Sequence, residues 1–221
     1  MGTPVAETYP RRSSGEIMKG PFIVFEGLDG AGTTTQLGLL QAWIERTYGR
    51  RVYATREPSG GPVGALLQQA LRRRVTLDAK TLALLFAADR IDHLNTEVLD
   101  RLDAGIPVLC DRYYLSSYAY QLRDLPNRIE WLESLNAEAV RPDLTLLVDA
   151  PAEVCMERIL ASRWTTELFE ETERLRAVRE NYLALAQQRM SKQEKIDIID
   201  GNRLPETVHT DICERVRPLF K

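Results

Sequence analysis

The chain has 221 residues, 44% of them hydrophobic, enough to bury the core of one α/β unit. A formal net charge of −3 gives no global basic field, which disfavours extended nucleic-acid binding but leaves room for a local cationic pocket. No apolar run approaches the roughly 18 residues that span a bilayer, and Cys110, Cys155 and Cys213 lie too far apart to suggest a metal site.

Residues 1–19 read as a polar, flexible extension without the apolar centre of a signal peptide. The thiols are expected to be free and buried, and the protein to be cytoplasmic. From residue 20 onward a single domain is expected. Phe22, Ile23, Val24 and Phe25 form a buried strand-like run over 21–26. Leu37, Leu40 and Ile44 recur at helical spacing, which predicts a helix over 33–48. Further strand-like runs follow at 52–56, 107–111, 144–149 and 196–200. Helical patterns lie at 61–74, 78–104, 115–136, 152–161, 168–190 and 204–219. The runs at 107–111 and 144–149 are almost continuously apolar, as strands buried on both faces must be. Strand alternating with helix predicts an α/β fold with a five-stranded parallel sheet wrapped on both sides. Ligands gather at the carboxyl ends of such strands, where the glycine turn after residue 26, Arg56-Glu57, Asp111-Arg112 and Asp149 all fall.

That glycine turn is Gly27-Leu28-Asp29-Gly30-Ala31-Gly32-Thr33-Thr34. It follows the phosphate-loop pattern G-x-x-x-x-G-K-[S/T] except that Thr33 stands at the lysine position. The glycines let several N–H groups converge, and the start of the 33–48 helix adds to the anion cradle. The Thr34 hydroxyl can bind Mg²⁺. Thr33 carries no charge. A single electrostatic group of this kind is worth roughly 2–4 kcal/mol of transition-state stabilisation. Its loss without compensation predicts a rate lower by roughly a hundredfold or more.

Farther along, "CDRYYLSSYAYQ" spans residues 110–121. Asp111 closes a buried strand, where its carboxylate can hold a Mg²⁺-bound water. Arg112 carries a planar fork suited to phosphate oxygens. Tyr113, Ser116, Ser117, Tyr120 and Gln121 present rings, hydroxyls and an amide from a helix start.

Taken in order, "GLDGAGTTTQ", "TREP", "LLFAADR" and "DRYYLSSYAYQ" resemble the thymidylate kinase family, and the likeness runs from about residue 20 to the C-terminus. The resemblance implies a P-loop three-layer α/β/α fold with a short mobile lid. It implies transfer of the γ-phosphate of ATP to dTMP, with Mg²⁺, in a homodimer that needs neither nucleic acid nor membrane. Gly27, Gly30, Ala31, Gly32, Thr33, Thr34 and Thr35 would cradle ATP, and Thr34 and Asp111 would serve the metal. Asp29 would lie near the dTMP sugar and phosphate and, with Arg112, would act in transfer. Arg56 and Glu57 would line the acceptor site, Glu57 beside the sugar hydroxyl. Phe86 would stack on thymine, and Arg90, one turn later, would meet a thymine carbonyl. Tyr120 would pack against the deoxyribose, Tyr113 would belong to the substrate site, and Ser117 and Gln121 would meet the base edge. The lid would span about 158–170 and bring Arg158 and Arg163 inward, Arg163 acting in catalysis.

Three positions depart from the family pattern, and each lacks a cation: Thr33, Gln68 and Leu168. Arg112 or Arg163 is expected to replace the missing lysine, and Arg72 lies one turn beyond Gln68. Two other outcomes stay open: a kinase for another nucleoside monophosphate, or a nucleotide-binding homologue with weak catalysis. His93 and His209 lie outside every motif, and no Ser-His or Cys-His pairing suggests a covalent intermediate.

Overall fold

The computed structural model describes residues 19–162 and 168–221. Residues 1–18 of the polar extension, and Arg163 within the expected lid, lie outside the described residues. Five strands form one parallel sheet: β1 (Phe22–Gly27), β2 (Tyr53–Arg56), β3 (Val108–Asp111), β4 (Leu144–Asp149) and β5 (Ile196–Asp200). The spatial order is β2-β3-β1-β4-β5. Central β1 and β3 are buried at every residue, and β4 at all but its last. The continuous apolar runs therefore occupy the middle, while the edge strands β2 and β5 are partly exposed.

Helices α1 (Thr33–Tyr48), α2 (Pro62–Leu71), α3 (Ala79–His93) and α4 (Leu99–Asp103) precede β3. Asp78 caps α3 by accepting hydrogen bonds from the N–H groups of Lys80 and Thr81. A π-helical stretch, Leu94–Val98, joins α3 to α4, so the expected helix over 78–104 is nearly continuous. The expected helix over 115–136 is instead two, α5 (Tyr114–Asp124) and α6 (Ile129–Leu135). Pro126 explains the break: it supplies no N–H, and it disfavours helical angles at Leu125, which adopts φ −127° and ψ 63°. After β4 come α7 (Ala152–Ser162) and α8 (Leu168–Ser191), and after β5 comes α9 (Pro205–Val216). Cys110, Cys155 and Cys213 are free and buried.

The order of strands places the functional loop. Strand β1 has β3 on one side and β4 on the other, and the chain leaves it at the point where the winding direction reverses. The crevice beyond the carboxyl ends of β1, β3 and β4 is where such sheets bind ligands.

Candidate active site

The turn from Gly27 to Thr34 links β1 to α1 across this crevice. Gly30 has φ +83°, and a Cβ there would lie 2.4 Å from the Cys155 carbonyl oxygen. Only glycine lets the loop rest so closely on α7. Gly32, with φ 100°, is the residue from which α1 starts. The free N–H groups of the first turn of α1 then face the loop's interior. Thr33, in the lysine position, is buried, with its methyl group near Gly27.

Thr34 points the other way. Its hydroxyl donates to Asp111 Oδ2 at 2.5 Å. Asp111 ends β3, in register with Phe25 of β1 and Arg56 of β2. Its Oδ1 is buried with no hydrogen-bond partner among the described residues. A threonine hydroxyl beside a carboxylate with an unused buried oxygen is a donor set of the hard-oxygen kind that suits Mg²⁺ and its bound waters.

Arg112 follows at φ 74°, its N–H donating to the Phe25 carbonyl at 2.8 Å. This left-handed turn swings the side chain off the strand and over the loop. One guanidinium nitrogen donates to Asp29 Oδ1 at 2.7 Å. The other reaches the hydroxyls of Ser116, at 3.3 Å, and Tyr182, at 3.4 Å. The Tyr120 ring lies 5.4 Å away, and its hydroxyl accepts the Asp29 N–H at 3.3 Å. A cavity of about 380 Å³ joins this group to the loop and is lined by Asp29, Thr34, Thr35, Arg56, Glu57, Asp111, Arg112 and Arg158 among others. Arg158 of α7 donates to the loop carbonyls of Gly30 and Ala31, both at 3.4 Å, and to Gly201 at 3.1 Å.

Behind the cavity is a buried ionic cluster. Arg90 is 1% exposed. It pairs with Glu57 Oε2 at 2.7 Å, donates to Ser117 Oγ at 2.9 Å and to the Asn136 side chain, and lies over the Tyr113 ring. Glu57 also faces His93 Nδ1 at 3.3 Å, and His93 Nε2 meets the Thr55 hydroxyl at 2.8 Å. Gln121 Nε2 and the Tyr113 hydroxyl are buried without a hydrogen-bond partner among the described residues. Phe86 is half-buried on α3, one turn before Arg90. Gln68 serves as a clip, donating to the Ser59 carbonyl at 3.2 Å.

The structure thus gathers the loop, Asp29, Arg56, Glu57, Asp111 and Arg112 about one cavity. Arg90 is set behind it, held by Glu57. Sequence reasoning missed Glu26, His93 and Tyr182. For Glu26 a signal existed: an acid directly after four buried apolar residues must be satisfied inside the protein. Its Oε1 accepts the N–H groups of Tyr113, at 3.0 Å, and Ser116, at 3.2 Å. Its Oε2 accepts the hydroxyls of Ser116 and Tyr182.

Burial lifts the Glu26 carboxyl from 4.5 to about 7, against the lowering effects of the Ser116 hydrogen bond and Arg112. A raised folded-state value favours folding fully below pH 4.5, and this contribution is lost as pH climbs through about 7. Wild type is expected to lose roughly 3 kcal/mol from this group between pH 4.5 and 8. Glu26→Gln should lack that increment. Urea unfolding of both proteins at the two pH values checks it, and parallel pH slopes would refute it.

A parallel five-stranded sheet carrying a phosphate loop after its central strand defines a P-loop nucleotide-binding fold. Residues 25–212 match the family model described as thymidylate kinase. A probable thymidylate kinase of Pyrococcus horikoshii is 38% identical over 206 residues, covering 90% of this chain and 97% of the relative. One from Thermococcus kodakarensis is 40% identical over 210 residues, covering 90% and 98%. A putative thymidylate kinase of Treponema pallidum is 38% identical over 200 residues, covering 89% and 94%. The chain belongs to the thymidylate kinase family.

Proposed function

We propose that this protein transfers the γ-phosphate of ATP to dTMP, giving dTDP and ADP, by direct in-line displacement. The observation that carries the reading is the single cavity joining Thr34 and Asp111 to Arg56, Glu57 and Arg112. One side of it suits the donor's phosphates and metal, the other an acceptor. Phosphoryl transfer asks the protein mainly for positioning and charge.

The loop N–H groups and the start of α1 hold the donor phosphates. Thr34 and Asp111 would hold Mg²⁺, Asp111 through a bound water, and the ion would neutralise phosphate charge. Asp111 Oδ1, buried and unpaired, supports a role in holding a metal-bound water. Arg112 takes the part of the absent lysine, since its guanidinium stands over the loop and bears several donors where lysine has one point charge. Arg158 adds a second cation at the loop carbonyls. Asp29 steadies Arg112. Arg56 faces the acceptor phosphate. Phe86 stacks on the base, and Gln121 and Tyr113 supply hydrogen-bond groups that the protein leaves unsatisfied. Glu57 and Arg90 neutralise each other and fix the acceptor wall.

A homodimer is part of the proposal, with exposed Leu66, Leu71 and Leu84 of α2 and α3 offering an apolar face. So is a cytoplasmic location, consistent with three unpaired thiols. Among the described residues no helix is long and apolar enough to cross a membrane.

Formation of ADP from ATP and Mg²⁺ with dTMP, dUMP, CMP or GMP tests the assignment. The expected order puts dTMP first in kcat/KM by at least about tenfold over a base lacking the thymine methyl, the scale of one methyl group in an apolar pocket. CMP or GMP ahead of dTMP would overturn the thymine reading of Phe86 and Gln121.

A further inference from the structure

Glu26 holds more partners than a structural cap requires. Its Oε1 suffices to cap the start of α5, through the N–H groups of Tyr113 and Ser116. Its Oε2 takes two hydroxyls, and one of them comes from Tyr182 on α8, a helix with no part in that cap. The two hydroxyl oxygens lie 2.7 Å apart. Both also lie within reach of the same guanidinium nitrogen of Arg112. All four groups are thereby joined: carboxylate, two hydroxyls, guanidinium.

Each hydroxyl has one proton and two lone pairs. Three contacts join Oε2 and the two hydroxyl oxygens, one of them between the hydroxyls themselves. Two hydroxyl protons, or three when Glu26 is protonated, fit within those contacts and leave a lone pair on each hydroxyl for the Arg112 N–H. An amide NH₂ in the place of Oε2 brings two protons, and the cluster then has one too many. A hydroxyl proton must then turn toward Arg112, donor against donor. The guanidinium loses its seat on that side and keeps Asp29, which is 64% exposed, and the face of the Tyr120 ring.

We propose that Glu26 is a positioning residue for Arg112, acting through the hydroxyls of Ser116 and Tyr182 to fix the guanidinium over the phosphate loop. This rests on the kinase reading above and on Arg112 meeting phosphate there. Glu26 itself does not touch the substrate. Its place directly before Gly27 couples the end of β1 to α5 and α8, so loop and guanidinium are held by one side chain.

A double-mutant cycle tests the coupling. Glu26→Gln, Tyr182→Phe, Arg112→Ala and the two double variants that include Arg112→Ala are assayed for ADP formation from ATP, Mg²⁺ and dTMP. Misplaced positioning groups cost up to a hundredfold, and two hydroxyl contacts out of the guanidinium's full set should cost less. Glu26→Gln should lower kcat about tenfold, with both KM values within about threefold. Tyr182→Phe should lower it about threefold, since one acceptor remains. In the Arg112→Ala background each change should cost less than about twofold, because nothing is left to position. Equal losses in both backgrounds would show that Glu26 and Tyr182 serve the fold alone and would overturn the inference. Should Glu26→Gln fail to fold, the Tyr182→Phe arm decides by itself. Active wild type with an additive cycle defeats only this inference. Wild type that turns over no monophosphate defeats the kinase reading along with it.

Discussion

Asp111→Asn should lower turnover of dTMP by roughly a hundredfold to a thousandfold, the cost of removing one well-placed electrostatic group. The substitution keeps the size of the side chain at the end of β3, so the strand register should survive. It removes the negative charge and replaces one acceptor oxygen with a donor. If the amide nitrogen faces Thr34, the hydroxyl must turn to accept from it, which takes a threonine lone pair away from the metal. If it faces the other way, the unpaired oxygen that suits a metal-bound water is gone. Either arrangement weakens Mg²⁺. Raising the Mg²⁺ concentration should therefore restore part of the rate, while KM for dTMP stays within a few-fold. Titration of kcat against Mg²⁺ for both proteins checks this, and a variant with unchanged Mg²⁺ dependence would remove Asp111 from the metal site.

Arg112→Ala should cost about a hundredfold in kcat, or roughly 2.7 kcal/mol of transition-state stabilisation. The fold should tolerate it. The pair with Asp29 joins side chains that are 20% and 64% exposed, and such surface pairs contribute only about 0–1 kcal/mol to stability. Alanine has the same steric difficulty as arginine at φ 74°, so backbone strain is unchanged. Activity should thus fall far more than melting temperature. Arg112→Lys should recover a minority of the loss, because it restores charge without the planar fork that reaches Asp29, Ser116 and Tyr182 together. Full activity in the lysine variant would mean that charge alone suffices.

Much of this was legible in the sequence because the information was local. Strands β4 and β5 and helix α1 match the expected bounds, since buried runs and helical spacing are written in consecutive residues. The break after Asp124 was also written there, in Pro126, but helical periodicity on either side outweighed it. The loop, Asp111 and Arg112 were legible for a like reason: each ends a strand, and a parallel sheet brings strand ends together. Arg90 was harder. Its place on a helix face was clear, but not its partners Glu57, Ser117 and Asn136, which come from three other segments. The link from Glu26 to Tyr182 crosses 156 positions and depends on how α8 packs on α5. No spacing rule encodes such a contact. It follows only from the tertiary demand that a buried carboxylate be satisfied.

The central question is whether a phosphate loop without its lysine still supports transfer to dTMP. The direct measurement is the rate of ADP formation from ATP, Mg²⁺ and dTMP, for wild type and Thr33→Lys side by side. Wild type should run at an ordinary kinase rate, roughly 1–100 per second, and Thr33→Lys should not raise it by more than about threefold, since Arg112 already supplies the charge. A wild type that is nearly inert beside an active Thr33→Lys would contradict the account. It would make this chain a nucleotide-binding protein whose catalysis was lost at residue 33.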